Sequence, residues 1–181
     1  PFDSNRNLDE RFSDKTVGEI VKACYEMGKV KTGALIVIAQ NDPLTEYERT
    51  GIELDSLVSS QLLINIFEHN TPLHDGAIII QGNRVVSATC YLPLSDNMAL
   101  SKELGTRHRA GVGISEVTDS ITIIVSEETG RVSVAYEGEL YRNIDADFLK
   151  ERLGGAQNKT VEERRFRLWK GRSKNEKETN K

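Results

Sequence analysis

Three side chains that are cationic or potentially cationic stand side by side in the segment Gly105–Arg109 (GTRHR), where a helix is predicted to begin. The N-terminal turn of a helix has a partial positive charge and free N–H groups, so arginines are repelled there unless an anion intervenes. A phosphate is such an anion, because the guanidinium groups of Arg107 and Arg109 bind its oxygens in pairs. Thr106 would cap the helix or donate its hydroxyl to the same anion. An exposed basic turn is the alternative that the tripeptide leaves open.

A second unusual segment, Leu73–Ala77 (LHDGA), leads directly into the apolar run Ile78–Ile80. Its carboxylate, Asp75, stands on a Gly-containing turn at the start of a predicted strand. A carboxylate in this position is well placed to orient a hydroxyl or to hold a metal ion. The alternative is that Asp75 only caps the turn. The presence of this segment makes phosphate chemistry a better interpretation of Gly105–Arg109 than an exposed basic turn.

The composition indicates one globular domain in which any phosphate site is local. The chain has 181 residues, of which 38% are hydrophobic and 29% charged, which is enough to bury a core. Its net charge of −4 is uneven: residues 157–181 carry nine Lys or Arg and four Glu, a net +5, which leaves −9 for residues 1–156. Because affinity for nucleic acid comes from accumulated Lys and Arg, we expect no nucleic-acid partner.

Cysteine usage and hydropathy indicate the cytosol. Cys24 and Cys90 lie in apolar segments and lack metal-ligand spacing, which favours buried reduced thiols over a disulfide or a zinc site. No apolar run approaches the roughly 18 residues of a membrane span, and the first residues lack the pattern of a secretory signal. We therefore expect the chain as given to be soluble.

Apolar periodicity predicts the elements that must position the two segments. Val17 to Met27 repeat at helical spacing, and the continuously apolar Ala34–Ala39 predicts a central strand covered on both faces. Further strands are predicted at 52–54, 77–81, 85–91, 120–126, 131–136 and 140–143. Further helices are predicted after Ser59 or Ser60, from Asp96 to Leu104, after Gly105, and over 145–153 up to Gly154-Gly155. The Gly82-Asn83 turn makes the second and third of these strands an antiparallel pair.

Four motifs in this order give the chain a family resemblance: Leu73–Ala77, Tyr91–Ser95 (YLPLS), Gly105–Arg109 and Ser126–Glu128 (SEE). Over about residues 15–153 the chain resembles the diadenylate cyclase domain, and it looks most like the catalytic part of the membrane-anchored bacterial type. The resemblance implies condensation of two ATP molecules to cyclic di-AMP, with release of two pyrophosphates. It also implies N-terminal transmembrane helices that would lie outside the given sequence.

Together the elements and the resemblance predict an α/β fold, a single domain with a mixed parallel and antiparallel central β-sheet flanked by α-helices. Residues 1–14 would be a linker, residues 15–155 the catalytic domain, and residues 156–181 a basic polar tail. The tail is rich in charge and poor in apolar residues, so we expect it to be disordered.

The resemblance implies a role for each motif, and the chemistry of the residue types agrees with these roles. Phosphodiester formation needs an activated 3′-hydroxyl and neutralisation of the charge on the departing pyrophosphate. Asp75, with Gly76 and Ala77, would act at the hydroxyl, either by orienting or deprotonating it or by holding a divalent ion. The triphosphate would be bound by Thr106, Arg107, His108, Arg109 and Ser126. The adenine would lie against Tyr91 and Leu92, and Mg²⁺ or Mn²⁺ would be held by Asp75, Glu128 and His74.

For several of these residues the sequence leaves a structural alternative. Glu127 and Glu128 also suit an ordinary acidic hairpin turn, and Glu128 is the favoured metal ligand of the two. His74 is equally suited to a structural role. An aromatic residue that ends a strand, as Tyr91 does, more often belongs to the core.

The product joins two nucleotides symmetrically, whereas one domain offers one triphosphate site. We therefore expect a homodimer, stable or transient, in which two sites meet face to face. Two other functions are open. A sensor module would bind ATP without turnover and would not need Asp75, and a phosphohydrolase would use His108, although the chain lacks the spaced His/Asp cluster of a two-metal site.

Overall fold

The computed structural model of the protein describes residues 12–157. Within that range there are five helices: α1 (Asp14–Lys29), α2 (Thr45–Glu48), α3 (Ser60–Phe67), α4 (Thr106–Val117) and α5 (Ala146–Gly155). The same range holds seven strands: β1 (Ala34–Ile38), β2 (Ile52–Leu57), β3 (Ala77–Gln81), β4 (Arg84–Cys90), β5 (Ile121–Val125), β6 (Val132–Tyr136) and β7 (Glu139–Tyr141). The predictions about residues 1–11 and 158–181 lie outside the described residues.

The strands form one sheet in the order β2-β4-β3-β1-β5-β6-β7. Strand β1 runs parallel to β3, with Ile36 opposite Ile78, and antiparallel to β5, with Ile36 opposite Ile123. The other neighbouring pairs are antiparallel, including the predicted β3–β4 hairpin. The mixed sheet is therefore confirmed, and β1 is its central strand as predicted.

Helices cover both faces of the sheet because the buried strands are apolar on both sides. In β1, Ile36 and Ile38 pack in one core with α1, α3 and α5, whereas Leu35 and Val37 pack in a second core with α4 and the residues around α2. Successive side chains of a strand point to opposite faces, so a continuous apolar run fills both cores. The result is a three-layer α/β domain. Within residues 12–157, none of the helices is long and apolar enough to cross a membrane.

The helix predicted from Asp96 to Leu104 is wrong, because this segment forms turns. Its polar side chains accept hydrogen bonds from backbone N–H groups that would bond to backbone carbonyls in a helix. Asn97 Oδ1 accepts the N–H of Ala99 at 2.9 Å, and Ser101 Oγ accepts that of Glu103 at 3.3 Å. Local bonds of this kind compete with helix formation.

Two further helical features differ from the sequence prediction. The short helix α2 falls within a stretch that was predicted as a polar connection. Helix α5 continues through Gly154 and Gly155, where a stop was predicted. Buried Leu149 and Leu153 fix the preceding turns on the core, which offsets the roughly 1 kcal/mol that each glycine costs in a helix.

Both ends of the described range pack on the domain. Phe12 is buried, and Ser13 caps α1 by accepting the N–H of Thr16 at 3.2 Å. At the other end, the amide Nε2 of Gln157 donates to Asp14 Oδ1 at 2.8 Å. Residues 12–14 and 157 therefore contact the folded part of the chain.

Both cysteines are buried free thiols, as predicted. Burial raises the pKa of the Cys24 thiol to about 12. Burial also raises the pKa of Cys90, whose Sγ lies 3.2 Å from Ser87 Oγ. These thiols are core residues, because a protonated thiol behaves as a small apolar group.

Candidate active site

A cleft of about 1150 Å³ opens where five parts of the chain meet. Its lining includes the turn before β3 (Asp75, Gly76), the end of β4 (Thr89–Leu92), the start of α4 (Gly105–His108), the turn after β5 (Ser126–Thr129) and the residues after β7 (Arg142, Asn143). The fold therefore gathers residues from all four sequence motifs around one cavity. Its volume is slightly above the roughly 300–1,000 Å³ of typical small-ligand pockets, so a small ligand would fit.

Helix α4 opens into the cleft with a bare N-terminus. Gly105, not Thr106, is the N-cap, and no side chain caps the helix, so the predicted capping role of Thr106 is wrong. Thr106 is instead the first helical residue, exposed at the cleft. The reason is the extended backbone of Gly105, at φ −81° and ψ −173°, after which the helix begins. The uncapped N–H groups of this turn form a site that suits an anion.

Arg107 is held in the cleft by an acidic neighbour. Its Nη1 lies 3.2 Å from Glu127 Oε2, and its side chain is 24% exposed, against 61% for Glu127. Such a partly exposed pair contributes little to stability, but it fixes the direction of the guanidinium. Arg109 does not line the cleft, although its carbonyl accepts the N–H of Ser95 at 3.0 Å. The structure thus separates the two arginines that the sequence treated alike.

His108 is half-buried beside two positive charges. Burial lowers the pKa of this imidazole, the charges of Arg142 and Arg107 lower it further, and Glu128 acts in the opposite direction. The lowered pKa favours the neutral form of the ring in the free protein. A neutral ring contributes a hydrogen bond rather than a charge, and the positive potential of this wall comes from the arginines.

Asp75 also lines the cleft, on a tight turn before β3. Gly76 has φ +79°, and a Cβ added there would lie 2.9 Å from the carbonyl oxygen of Cys90. Glycine is therefore required for both the conformation and the close approach to β4. The Asp75 side chain is exposed, and its Oδ1 accepts the N–H of Gly76 at 3.0 Å. Ala77, in contrast, is fully buried at the start of β3 and does not line the cleft.

The turn between β5 and β6 is shaped by Ser126. Its Oγ accepts the N–H groups of Glu128 and Thr129, each at 3.2 Å, and its carbonyl accepts that of Gly130 at 2.9 Å. The hydroxyl hydrogen of Ser126 is left for another acceptor. Glu128 is exposed on this turn and lines the cleft.

Tyr91 is not a core aromatic, because its side chain is 76% exposed at the cleft. Its backbone N–H donates to Thr50 Oγ1 at 2.8 Å. Leu92 is half-buried beside it and packs on the apolar core that contains α4. An exposed ring next to a partly buried leucine offers the apolar surface on which a planar base can lie.

The segment that carries Tyr91 and Leu92 is fastened to α4. Ser95 Oγ hydrogen-bonds the Glu116 carboxylate, and the backbone of Pro93 packs so closely on Gly113 that a Cβ there would collide with it. These contacts fix the segment relative to Arg107 and His108 on the same helix.

The predicted metal ligands are not gathered into one cluster. Residues 12–157 contain no group of three or more His, Cys, Asp or Glu side chains that would hold a metal ion. His74 does not line the cleft, and its Nδ1–H donates to the Thr71 carbonyl at 2.6 Å. Asp75 and Glu128 do line it, and both offer the hard oxygens that Mg²⁺ prefers.

Sequence analysis gave no site role to several other residues of the cleft: Thr89, Leu94, Leu104, Arg131, Ser133 and Arg142. Arg142 has the clearest effect on a predicted site residue, because its positive charge lowers the pKa of His108. It follows the short edge strand β7 in a stretch without any recognised motif. Only the packing of β7 beside β6 brings it to the cleft.

A helix N-terminus that opens into a cleft of an α/β domain, as α4 does here, is an arrangement common among nucleotide-binding domains. A sequence model of the family described as DisA bacterial checkpoint controller nucleotide-binding (DAC) matches residues 21–140. The chain belongs to this family, and the resemblance to the diadenylate cyclase domain is confirmed.

Individual relatives agree with this assignment. The chain is 52% identical over 165 residues to "Cyclic di-AMP synthase CdaA" of Bacillus subtilis, covering 91% of this chain and 60% of that protein's length. It is similar to the crystal structure of a double mutant of DacA from Staphylococcus aureus, with a TM-score of 0.79, 49% identity, and coverage of 81% of this chain and 97% of that one. A "hypothetical membrane spanning protein" from Bacillus cereus matches with a TM-score of 0.71 and 40% identity, over 76% of this chain and 67% of that one.

Proposed function

We propose that this domain is a diadenylate cyclase, a nucleotidyltransferase that condenses two ATP molecules into cyclic di-AMP and releases two pyrophosphates. The observation that carries the proposal is a single cleft lined both by the Asp75 carboxylate and by the α4 N-terminus with Arg107 and His108. A site that only bound ATP would need the cationic wall but not the carboxylate. The name of the Bacillus subtilis relative supports the same activity.

The proposed reaction forms one P–O bond and breaks another in each half. The 3′-hydroxyl oxygen of one ATP attacks the α-phosphorus of the other, the bond from the α-phosphorus to the β-phosphate bridging oxygen breaks, and pyrophosphate leaves. Asp75 orients the hydroxyl and accepts its proton. The N–H groups of α4 and the Arg107 guanidinium neutralise charge on the leaving pyrophosphate. Two such steps close the ring.

A divalent ion, Mg²⁺ or Mn²⁺, fits the donor chemistry of the cleft. Asp75 and Glu128 would hold it, together with phosphate oxygens of the nucleotide, because the described residues provide no complete ligand set. When bound, such an ion supplies charge neutralisation and lowers the pKa of a coordinated hydroxyl. His74 is a weaker candidate, since its Nδ1 is already engaged by Thr71.

The proposed catalytic assembly is a face-to-face homodimer. Asp75 and Tyr91 are exposed at the cleft, and the Leu94 side chain, which also lines it, is 54% exposed. These residues leave the carboxylate side of the site open toward a second molecule. A two-fold arrangement would place each 3′-hydroxyl in line with the other nucleotide's α-phosphorus.

The direct test is to incubate the protein with ATP and Mg²⁺ or Mn²⁺ and to identify the product by mass. Cyclic di-AMP supports the proposal. Unchanged ATP that nonetheless binds would indicate a sensor module, and ADP or AMP with phosphate would indicate a phosphohydrolase; either result contradicts it.

The dimer is tested separately by dilution, with ATP saturating. Specific activity should fall as the enzyme is diluted below the concentration at which sedimentation shows only monomer. Constant specific activity in a purely monomeric sample would contradict the face-to-face arrangement while leaving the activity itself established.

We also propose that the domain works in the cytoplasm as part of a membrane-anchored protein, joined to it through an N-terminal segment. The chain spans 60% of the length of the Bacillus subtilis relative, and the Bacillus cereus structure is described as that of a membrane-spanning protein. Cell fractionation of the full-length gene product, with cyclase activity followed in each fraction, tests this location. Activity confined to the soluble fraction would contradict it.

A further inference from the structure

Gly33, the residue immediately before β1, lies directly against the guanidinium of Arg107. A Cβ added at Gly33 would lie 2.6 Å from Arg107 Nη1, 2.7 Å from Arg107 Cζ and 3.1 Å from Glu127 Cβ. Non-bonded carbon atoms normally stay about 3.5–4.0 Å apart. Any side chain at this position would therefore occupy the space in which the guanidinium now lies.

The requirement for glycine here is one of space and not of backbone conformation. The φ of Gly33 is outside the left-handed region, unlike that of Gly76. Alanine could thus adopt the backbone conformation of Gly33, and only its contacts with the neighbouring side chains would be too close. Gly33→Ala consequently tests whether Arg107 needs the space beside Gly33, and it adds little backbone strain.

The backbone around Gly33 is fixed, so the guanidinium must be the group that moves. Ala34, the next residue, pairs with Val125 in the centre of the sheet. The turn that carries Glu127 is closed by the N–H of Ser126, which donates to the Arg131 carbonyl at 3.0 Å. The Arg107 guanidinium, in contrast, is the end of a long flexible side chain and shifts at small cost.

We propose that Gly33 is a positioning residue for nucleotide binding. Its missing side chain leaves a seat that the Arg107 guanidinium occupies beside the backbone before β1, where Arg107 Nη1 lies 3.2 Å from Glu127 Oε2. In this seat the guanidinium is directed toward the cleft, where it meets the triphosphate. The identity of the ligand as ATP rests on the proposed function, whereas the seat itself does not.

The test compares Gly33→Ala with Gly18→Ala, whose added Cβ on α1 would have no heavy atom within 4 Å. ATP affinity is measured by calorimetry with the metal present. We expect Gly33→Ala to weaken binding roughly tenfold, the loss of about one charge-assisted contact, and Gly18→Ala to leave it unchanged. Melting temperatures of both variants should stay within a few degrees of the parent.

The same pair of substitutions is then made in an Arg107→Ala background. If Gly33 acts through Arg107, Gly33→Ala should change affinity there by less than about twofold, because the group it displaces is already gone. An equal loss in both backgrounds, or no loss in either, would overturn the proposal. This cycle separates positioning from a general structural effect, which would persist without Arg107.

A crystal structure of Gly33→Ala decides the matter even if ATP is not the ligand. The guanidinium should be displaced from its contact with Glu127 while the strands superimpose. An unmoved guanidinium would refute the seat. Failure of the parent protein to make cyclic di-AMP would instead refute the proposed function and leave the displacement result standing.

Discussion

The two walls of the cleft differ in how much of their geometry the single chain supplies. On the α4 wall, Arg107 is ion-paired with Glu127 and packed on Gly33, and His108 is half-buried. On the Asp75 wall, formed by the turn before β3 and the end of β4, Asp75 and Tyr91 are exposed. The α4 wall is thus preorganised, whereas the Asp75 wall is open.

This difference suits a reaction between two bound nucleotides. A preorganised wall loses little entropy when it binds a triphosphate, because its side chains are already ordered. An open wall leaves its carboxylate free to meet a group that arrives with a second protomer. The proposed division is therefore binding on one wall and chemistry on the other, and the following experiments test it.

The largest effect is expected for Asp75→Asn, which keeps the shape of the side chain and removes its charge. Turnover should fall by roughly 10²- to 10⁴-fold, the range for losing a positioned acid–base group, while ATP affinity stays within about tenfold. Initial rates and calorimetry check the two parts. Near-parental synthesis of cyclic di-AMP by a folded Asp75→Asn protein would refute the assignment. Lower thermal stability with normal specific activity would show a turn-capping role.

A smaller effect, on binding, is expected from Arg107→Ala. It removes a charge-assisted contact of roughly 1.5–3 kcal/mol, so ATP affinity should fall about 10- to 150-fold. Arg109→Ala is the matched control, because Arg109 is on the same helix but does not line the cleft. We expect Arg109→Ala to change affinity by less than about threefold. Equal losses would show that both arginines bind phosphate, as the sequence pattern suggested.

The third prediction concerns the charge of His108, followed by NMR titration with His108→Gln to assign its signal among the three histidines. Its pKa should lie below the ordinary value of about 6.5 in the free protein and rise when ATP binds, because phosphate favours the protonated ring. A lowered pKa means that the unfolded state takes up a proton first as the pH falls. Stability should therefore be complete above about pH 6.5 and decline below it, less so in His108→Gln. An unshifted pKa would place the ring in solvent.

The smallest effect is expected at the C-terminal end. A chain ending at Gln157 should keep the melting temperature and specific activity of the full protein, because the basic tail is predicted to be disordered. A chain ending at Gly155 also loses the bond between Gln157 and Asp14, which should cost about 1 kcal/mol of unfolding free energy. A large loss already in the longer chain would show that the tail packs on the domain.

Several features of the fold followed from the sequence because they depend on local pattern. The apolar run Ala34–Ala39 identified the central strand, observed as Ala34–Ile38, since a strand buried on both faces has no alternation. The Gly82-Asn83 turn fixed the β3–β4 hairpin in the same way. The helix predicted over 96–104 does not form, for an equally local reason. The side chains of Asn97 and Ser101 accept hydrogen bonds from nearby backbone N–H groups, which composition did not show.

The sequence predicted those residues of the site that belong to a recognisable motif, and it did not predict the others. Thr106, Arg107, His108, Asp75 and Ser126 were found because they stand in distinctive segments, and the fold does place them on one cleft. Arg142 and Gly33 lie in stretches without a motif and were missed. No feature of the adjacent sequence marks Arg142 or Gly33 as a residue of the site.

Local pattern was enough to give most of the elements, the family and the residue types available for phosphate chemistry. Which of these residues meet depends on tertiary packing. Helix geometry points Arg107 and Arg109 in different directions, because two positions span more than half a turn, and the packing of α4 decided that Arg107 is the one that lines the cleft. Packing also placed Gly33 beneath Arg107, since their contact depends on how α4, β1 and β5 pack, and packing joins residues that are distant along the chain.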